Sequence, residues 1–247
     1  LHTAYRRQRQ MCIRDSHTET RLLPKNKRTY DESWFAPRDP GLGTVLVMLG
    51  VEGEIPELAH HNFLFSDDWS DDFDAAFNGP VASRPQAASQ SIYVSKPSAT
   101  DPSVAPAGHE NLFVLVPVPA DPSVGHGDMY RGEASEQVRR IADAAVEQIA
   151  ARCGVAGLGR RIVVKQTLGP ADFAERYNAW SGGSIGPAHT LRQSAFLRGS
   201  NRSRKLDSLM YAGATTTPGV GVPMCLISAE NVLKRIRGDR SSGPLDR

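Results

Sequence analysis

The sequence has no strong excess of charge, few cysteines and no long apolar run, and each absence excludes a class of protein. Its 247 residues carry a formal net charge of +2, whereas nucleic-acid-binding domains typically show a marked basic excess. We therefore expect no nucleic-acid partner. Its three cysteines, Cys12, Cys153 and Cys225, include no Cys-x-x-Cys pair, which argues against a disulfide framework and a bound metal.

Its apolar runs are no longer than a strand, well short of the roughly 18 residues that can cross a bilayer. The first residues contain no apolar core of a signal peptide. Together with the scattered cysteines, this favours a reducing compartment, and we expect a cytoplasmic location. Internal repeats are also absent.

The two ends of the chain differ in composition from the rest. Residues 1–16, LHTAYRRQRQMCIRDS, are basic, polar and without periodicity, and we expect them to be disordered or a translated sequencing artefact. The polar tail 239–247 is predicted to be loose. Near the C-terminal part, five basic residues predict a solvated loop: Arg192, Arg198, Arg202, Arg204 and Lys205.

Strand and helix patterns are mixed without a regular strand–helix alternation, which predicts a mixed α/β and α+β fold. Apolar or alternating runs predict strands at 43–53, 60–66, 91–99, 111–120, 161–168 and 207–214. Helical spacing predicts helices at 67–80, 133–154, 170–180 and within 181–199, and a last helix from about residue 222. In the acidic segment 67–80, Trp69, Phe73 and Phe77 recur at helical spacing and predict a short amphipathic helix.

Two glycine-rich stretches match known motifs but occur in the wrong context. GGSIG at 182–186 fits the nucleophile elbow of serine hydrolases, which requires a preceding strand and an acid between Ser184 and a later histidine. The segment before it is helical in character and no acid separates Ser184 from His189. GVAGLG at 154–159 follows a helix and precedes a strand, which is the reverse of a dinucleotide fingerprint, and predicts a helix C-cap.

A third glycine-rich stretch, GVGVPM at 219–224, follows a predicted strand and precedes a predicted helix. Gly219 and Gly221 have no Cβ, so a planar ligand can lie against the backbone. Pro223 is suited to the first turn of a helix, whose free N–H groups favour an anion. These residues predict a turn that faces a ligand.

The segment YAGATTTPGVGVPMCLISAENVL at 211–233 resembles the C-terminal signature of the carotenoid desaturases, phytoene desaturases in particular. The family pattern is close to V-G-A-G-T-H-P-G-A-G-V-P-G-V-L-L-S-A. The matching residues are Gly213, Ala214, Thr216, Pro218, Gly219, Gly221, Val222, Pro223, Leu226, Ser228 and Ala229. The stretches GGSIGPAHTLRQSAFLRGSNRS, GTVLVMLGVEGEIPELAHHNFLFSDDW and SIYVSKPSATDPSVAPAGHENLFVLVPVP resemble upstream family segments in the same order. Thr217 and Met224 depart from the family's usual His and Gly.

The resemblance implies a two-domain, FAD-dependent oxidoreductase of which this chain is the C-terminal half, without the N-terminal dinucleotide-binding βαβ unit. It implies a substrate-binding domain at 17–180 and an FAD-contacting strand, turn and helix at 181–238. The residues expected to contact the flavin are Gly213, Ala214, Gly219, Gly221, Val222 and Pro223. The family's acid/base residues lie mostly in the half that is missing here, so no catalytic residue is assigned.

The same resemblance implies desaturation of phytoene towards lycopene, with a long polyene hydrocarbon as substrate and a membrane surface as partner. The electron acceptor, such as a quinone or oxygen, is left open. Two alternatives also stay open. The chain can belong to a related carotenoid isomerase, ketolase or hydroxycarotenoid desaturase, or it can be a binding module without catalysis. If it stood alone, its strand at 207–214 would expose an unpaired edge.

Overall fold

The computed structural model of the chain describes residues 15–245. Seven α-helices and five β-strands are formed within that range. The helices are α1 (Asp15–His17), α2 (Glu32–Phe35), α3 (Trp69–Phe77), α4 (Glu136–Cys153), α5 (Leu158–Arg161), α6 (Pro170–Tyr177) and α7 (Val222–Arg237). The strands are β1 (Leu42–Glu52), β2 (His61–Leu64), β3 (Ile92–Ser95), β4 (His109–Pro119) and β5 (Ile162–Leu168).

The chain divides into two compact units, here called the sheet unit and the turn unit. The sheet unit consists of Leu42–Ala174 and Ser181–Ser184. The turn unit consists of the described residues up to Gly41, of Glu175–Trp180 and of the described residues from Ile185 onward. This division differs from the expected boundary near residue 180, because residues 17–41 belong with the C-terminal segment.

Buried hydrogen bonds hold the early residues within the turn unit. Glu19 is fully buried, and its carboxylate accepts the N–H of Thr29 at 2.6 Å and the O–H of Tyr211 at 2.7 Å. The Tyr30 hydroxyl accepts the N–H of Ser200 at 2.8 Å. A buried carboxylate needs such donors to offset its desolvation, so these contacts fix residues 19–30 beside the C-terminal part of the turn unit.

The sheet unit is built around one antiparallel five-stranded sheet with the order β2-β3-β4-β1-β5. Alternate residues of β1 and β4, such as Val47 and Val114, point to the face that α4 covers with Val138, Ile141 and Ile149. This period of two is what a strand imposes on its side chains. The structure therefore confirms a mixed αβ fold, with an antiparallel rather than a parallel sheet in the described residues.

Five of the six predicted strands are present, and the strand predicted at 207–214 is wrong. Only an isolated bridge joins Met210 to Arg202, and another joins Thr216 to Gly199. Gly213 has a φ of +125°, which breaks an extended run. The helix predicted within 181–199 is also wrong: short 3-10 turns at Leu191–Gln193 and Ala195–Leu197 take its place.

Helix α3 forms as predicted, but its aromatic side faces outward. Its buried residues are Asp72, Ala75 and Ala76, whereas Trp69 and Phe73 are 50% and 55% exposed. Asp72 determines this orientation. Its carboxylate accepts the Ser89 hydroxyl at 2.7 Å and the N–H of Gln90 at 2.6 Å, with the Arg84 guanidinium 3.5 Å away.

The expectations for the two ends concern residues that are described only in part. Residues 1–14 lie outside the described range, while Asp15 and Ser16 begin α1 and Ser16 is buried. In the tail, the ammonium of Lys234 donates to the carbonyl of Ser241 at 3.1 Å. The described part of the tail therefore contacts α7.

Candidate functional site

The predicted ligand-facing turn at 219–224 and the residues that lead into it from 213 are here called the glycine turn, and they include three glycines whose backbone requires glycine. The φ angles of Gly213, Gly219 and Gly221 are +125°, +149° and +111°, a region that other residues rarely occupy. A Cβ placed on Gly213 would meet no atom within 4 Å, and one on Gly221 would meet only the Pro223 ring at 4.0 Å. The backbone at Gly213 and Gly221 thus borders open space that a flat ligand can approach closely.

The end of the turn is the N-terminus of α7. Val222 is the first residue of the helix, Gly221 is its N-cap and Pro223 lies in its first turn. No side chain within the described residues caps this end, and Val222 is 76% exposed. An uncapped helix N-terminus carries partial positive charge on its N–H groups and stabilises negative charge placed there.

A buried polar network supports the other end of the turn. Gly213 donates its N–H to the Ser228 hydroxyl at 3.0 Å, and Thr216 lies 2.9 Å from the same oxygen. The Asn201 amide nitrogen is within 2.9 Å of Ser228 and 3.0 Å of the Tyr211 carbonyl. Since Asn201, Thr216 and Ser228 are all buried, these bonds fix the backbone of the turn in one position.

Arg198 holds the carbonyl of Ala214 with two donors. Its Nε and Nη2 lie 3.0 Å and 2.7 Å from that oxygen, and Nη1 donates to the Gln193 carbonyl at 3.1 Å. The expectation of a solvated basic loop is therefore wrong for Arg198, which is only 5% exposed. It holds for Arg202, which forms an exposed ion pair with Asp207.

All six predicted flavin-contacting residues fall in the turn unit. Gly213 and Ala214 lie at the start of the turn, and Gly219, Gly221, Val222 and Pro223 lie at its end. His189 is close to Gly219, since its ring Cε1 would be 3.3 Å from a Cβ there. Their contact with a flavin stays a prediction.

The sequence alone assigned no supporting role to the residues that hold this turn. Arg198 and Asn201 occur in a segment without periodicity, so no local pattern distinguishes them from solvated neighbours. Ser228 offered a usable signal, because it is a lone hydroxyl among the apolar residues MCLISA at the start of a helix. Buried hydroxyl groups are normally hydrogen-bonded, so a lone serine on an apolar stretch predicts a buried polar partner.

The motif-like stretches GGSIG at 182–186 and GVAGLG at 154–159 have structural roles. Ser184 follows a 3-10 turn at Trp180–Gly182 rather than a strand, and its hydroxyl donates to the Leu42 carbonyl at 3.2 Å. This geometry lacks the strained elbow of a nucleophile. Gly154 ends α4 in the left-handed conformation, with φ of +73°, which is the predicted C-cap.

The sheet unit offers a second candidate surface, the face of the sheet opposite α4. Leu46, Met48, Phe113 and Leu115 point to that side and are only half-buried. Leu46 is paired with Leu115, and Met48 with Phe113, so the four side chains form two adjacent rows. The surface is apolar and uncharged, which suits a hydrocarbon ligand.

Residues 15–245 contain neither a metal-binding cluster nor a membrane-spanning helix. No group of three or more His, Cys, Asp or Glu residues in that range could hold a metal ion. None of the helices there is both long and apolar enough to cross a membrane. Burial raises the pKa of the Cys153 thiol, so it is not a reactive thiolate.

The chain is thus a mixed αβ protein whose turn unit has an open glycine turn and whose sheet unit has an apolar sheet face. No protein-family model matches the chain. It is 43% identical over 224 residues to a carotenoid 3,4-desaturase of Haloarcula japonica. It is 33% identical over 218 residues to a zeta-carotene-forming phytoene desaturase of Myxococcus xanthus, and 31% over 217 to a 4,4'-diapophytoene desaturase of Staphylococcus aureus.

These alignments cover 87–91% of this chain but only 38–42% of the relatives. The chain therefore spans about two fifths of the length of the curated relatives that it matches. It is a homologue of the carotenoid desaturases, which are oxidoreductases, and the predicted family is confirmed.

Proposed function

We propose that this chain is the C-terminal portion of an FAD-dependent carotenoid desaturase that removes hydrogen from adjacent carbons of a polyene precursor. The observation that carries the proposal is the glycine turn, whose sequence matches the family signature and whose backbone borders open space beside an uncapped helix N-terminus. The homology to three carotenoid desaturases supports the same reaction class.

The residues of the turn fit a flavin. The open space at Gly213 and Gly221 admits a planar ring, and the N-terminus of α7 would face its electron-rich edge. Val222 and Pro223 would border the ring, while Ser228 and Arg198 would hold the backbone of Gly213 and Ala214 at the start of the turn. When bound, FAD would supply the oxidising chemistry, and these residues would orient it and tune its charge.

The proposed substrate is a long acyclic hydrocarbon that lies on the sheet face formed by Leu46, Met48, Phe113 and Leu115. Phytoene, desaturated towards lycopene, is the first candidate. A second candidate is 3,4-desaturation of an already conjugated carotenoid, which is favoured by the 43% identity to a carotenoid 3,4-desaturase. The two reactions differ in the substrate they start from, so product analysis separates them.

The cellular setting is part of the same proposal. A long acyclic hydrocarbon partitions into the lipid bilayer. The enzyme would therefore work at the cytoplasmic surface of a membrane without spanning it. The final electron acceptor, a quinone or oxygen, is not assigned. A binding module without catalysis and a related isomerase or ketolase are the alternatives that the experiment must separate.

The experiment uses the protein expressed from the complete reading frame that contains this chain. It is incubated with FAD and, in separate reactions, with phytoene or with lycopene in phosphatidylcholine vesicles, and products are resolved by chromatography with absorbance detection. We expect carotenoids with longer conjugation. Turnover of a conjugated carotenoid but not of phytoene would favour 3,4-desaturation. A shift between isomers without new double bonds, or no product from either substrate, would overturn the desaturase proposal.

A further inference from the structure

Five aromatic side chains form a single file on the surface of the sheet unit, here called the aromatic ladder: Phe63, Phe65, Trp69, Phe73 and Phe77. Each is 41–63% exposed. Neighbouring ring centroids are 5.6–6.2 Å apart, and neighbouring ring planes differ by only 8–34°. The ladder is thus an ordered row of nearly aligned rings, within the range of separations at which aromatic rings interact.

Rigid elements hold the ladder in place. Phe63 belongs to β2 and Phe65 follows two residues later on the same side of the chain. Trp69, Phe73 and Phe77 recur every four residues along α3 and lie on one side of that helix. The opposite side is fixed by the buried carboxylate of Asp72, so the aromatic rings cannot turn inward without breaking those bonds.

The ladder is continuous with the half-buried apolar face of the sheet. Phe63 pairs with Tyr93 across β2 and β3, with ring centroids 5.1 Å apart. Tyr93 pairs with Leu115, and Leu115 with Leu46. Since directly paired residues point to the same face of a sheet, one apolar path runs from the proposed substrate surface onto the ladder.

A shallow cavity follows the helical part of this path. It has a volume of about 120 Å³ and is lined in part by Trp69, Phe73, Phe77, Leu42 and Pro117. Most of the surface that lines the cavity is apolar, which suits an uncharged ligand.

The charges beside the ladder exclude ligands that carry phosphate. Residues 60–80 contain five aspartates and no lysine or arginine. Asp67, Asp68 and Asp74 are exposed. An anionic lipid surface or a nucleic acid needs basic residues to neutralise its phosphates, so stacked bases and anionic bilayers are unsuitable here. An uncharged ligand meets no such repulsion.

The area of the ladder also argues against a second copy of the chain. An aromatic side chain buries roughly 150–250 Å² when fully covered, and these five are already about half-covered. The remaining area is on the order of 500 Å², less than the roughly 800 Å² per partner of a stable interface. A row one ring wide suits a linear ligand better than a protein face.

We propose that the aromatic ladder binds an extended, uncharged hydrocarbon with conjugated double bonds, which stacks across the rings as a continuation of the sheet face. The inference deepens the proposed function, because the substrate class is taken from it. A conjugated chain presents a π-face along its length, and stacking on aromatic side chains needs only a π-face on the ligand. The ladder would therefore hold the part of the polyene that extends beyond the sheet.

The test measures binding of lycopene in neutral detergent micelles to the 247-residue chain, without FAD and without turnover. Two signals report it: quenching of tryptophan fluorescence, and circular dichroism induced in the visible band of the otherwise achiral polyene. Phe73→Ala removes the aromatic ring that lies between those of Trp69 and Phe77. We expect the Kd for lycopene to rise about tenfold. Phe73→Tyr keeps the ring and should restore binding to within about twofold.

The matched control is Phe196→Ala in the turn unit, where Phe196 is 86% exposed and outside the ladder. It should leave the Kd of lycopene unchanged. Because every altered side chain is exposed, the variants should melt at the temperature of the unaltered chain, and thermal melts check this. The assay contains no FAD and the altered residues lie outside the glycine turn, so failure of the flavin proposal and failure of this one are separable.

Equal affinity of Phe73→Ala and the unaltered chain for lycopene would overturn the proposal. So would binding to phosphatidylcholine vesicles without lycopene that is lost in Phe73→Ala, since the ladder would then be a membrane anchor. A dimer that dissociates in Phe73→Ala at the same protein concentration would assign the ladder to a second copy and would also overturn it.

Discussion

At the scale of single residues, the conformation of the glycine turn is fixed by hydrogen bonds from neighbouring buried side chains rather than by the glycines themselves. Asn201 lies at the centre, with its amide nitrogen between the Tyr211 carbonyl, the Thr217 carbonyl and the hydroxyls of Thr216 and Ser228. A buried polar group with this many partners is costly to replace, because the partners lose their hydrogen bonds and stay buried.

Replacing Asn201 by Ala should therefore lower the free energy of unfolding by about 2 kcal/mol. The adjacent Arg202→Ala is the matched control. It removes only an exposed ion pair with Asp207 and should cost less than about 1 kcal/mol. Urea denaturation followed by circular dichroism measures both. Equal effects of the two substitutions would show that the Asn201 network does not stabilise the turn.

At the scale of elements, α3 shows how a buried charge can determine which side of a helix faces the core. Burial alone would raise the pKa of Asp72, but hydrogen bonds from Ser89, Gln90 and Ser91 outweigh it and hold the pKa below the ordinary 3.8. The ionised carboxylate is thus the form that the folded protein stabilises. Its contribution is present above the unfolded pKa and is lost as the pH falls through the lower folded pKa.

Asp72→Asn should lower the free energy of unfolding by about 2 kcal/mol at pH 7, because the amide presents an N–H₂ group to hydrogen-bond donors. The difference from the unaltered chain should shrink as the pH falls below about 3.9. Asp67→Asn, which alters an exposed carboxylate, is the control and should change little at either pH. Urea titrations at pH 7 and at pH 3 measure the effect, and a difference that does not depend on pH would contradict it.

The elements also show how far the sequence alone predicts the structure. The five strands of the sheet and helices α3, α4, α6 and α7 are foreseen, because periodicity is a local property. The strand predicted at 207–214 fails because the positive φ of Gly213 and the bonds to Asn201 and Ser228 are tertiary features. For the same reason, the outward orientation of Trp69 and Phe73 depends on partners of Asp72 that lie 12 or more residues away.

At the scale of the whole molecule, α7 carries an apolar stripe that the described residues leave exposed. Val222, Leu226, Leu233 and Ile236 recur at helical spacing and are 46–76% exposed. A helix with an exposed stripe of this kind normally packs against another element. As part of the proposed function, we expect the remaining part of a longer desaturase to cover it.

We expect the DNA upstream of the codon for His17 to encode, in frame, a strand–GxGxxG–helix unit of the dinucleotide-binding type. Amplification and sequencing of the source DNA measure this directly. A start codon at that point, without such a unit, would favour the binding module over the enzyme.

The exposed apolar stripe of α7 should also affect the 247-residue chain when it is expressed alone. We expect concentration-dependent self-association, which light scattering after size exclusion detects. Replacing Leu226 and Leu233 by Gln should increase the monomer fraction, because both side chains are exposed and apolar. Arg235→Gln on the same helix is the control and should not. Self-association that is unchanged in the Leu226→Gln/Leu233→Gln variant would place the contact elsewhere.

Contact between the glycine turn and a flavin is tested most directly by measuring how much flavin Gly221→Val retains. The protein expressed from the complete reading frame is used. The φ of +111° at Gly221 disfavours a β-branched residue. The valine side chain would also fill the open space beside Gly221 that we propose the flavin ring occupies. Gly108→Val, at another positive φ where a Cβ would meet no atom within 4 Å, controls for backbone strain. We expect a flavin absorbance band in the unaltered protein and in Gly108→Val, and a loss of most bound flavin in Gly221→Val. Unchanged flavin content in Gly221→Val, or no flavin in the unaltered protein, would contradict it.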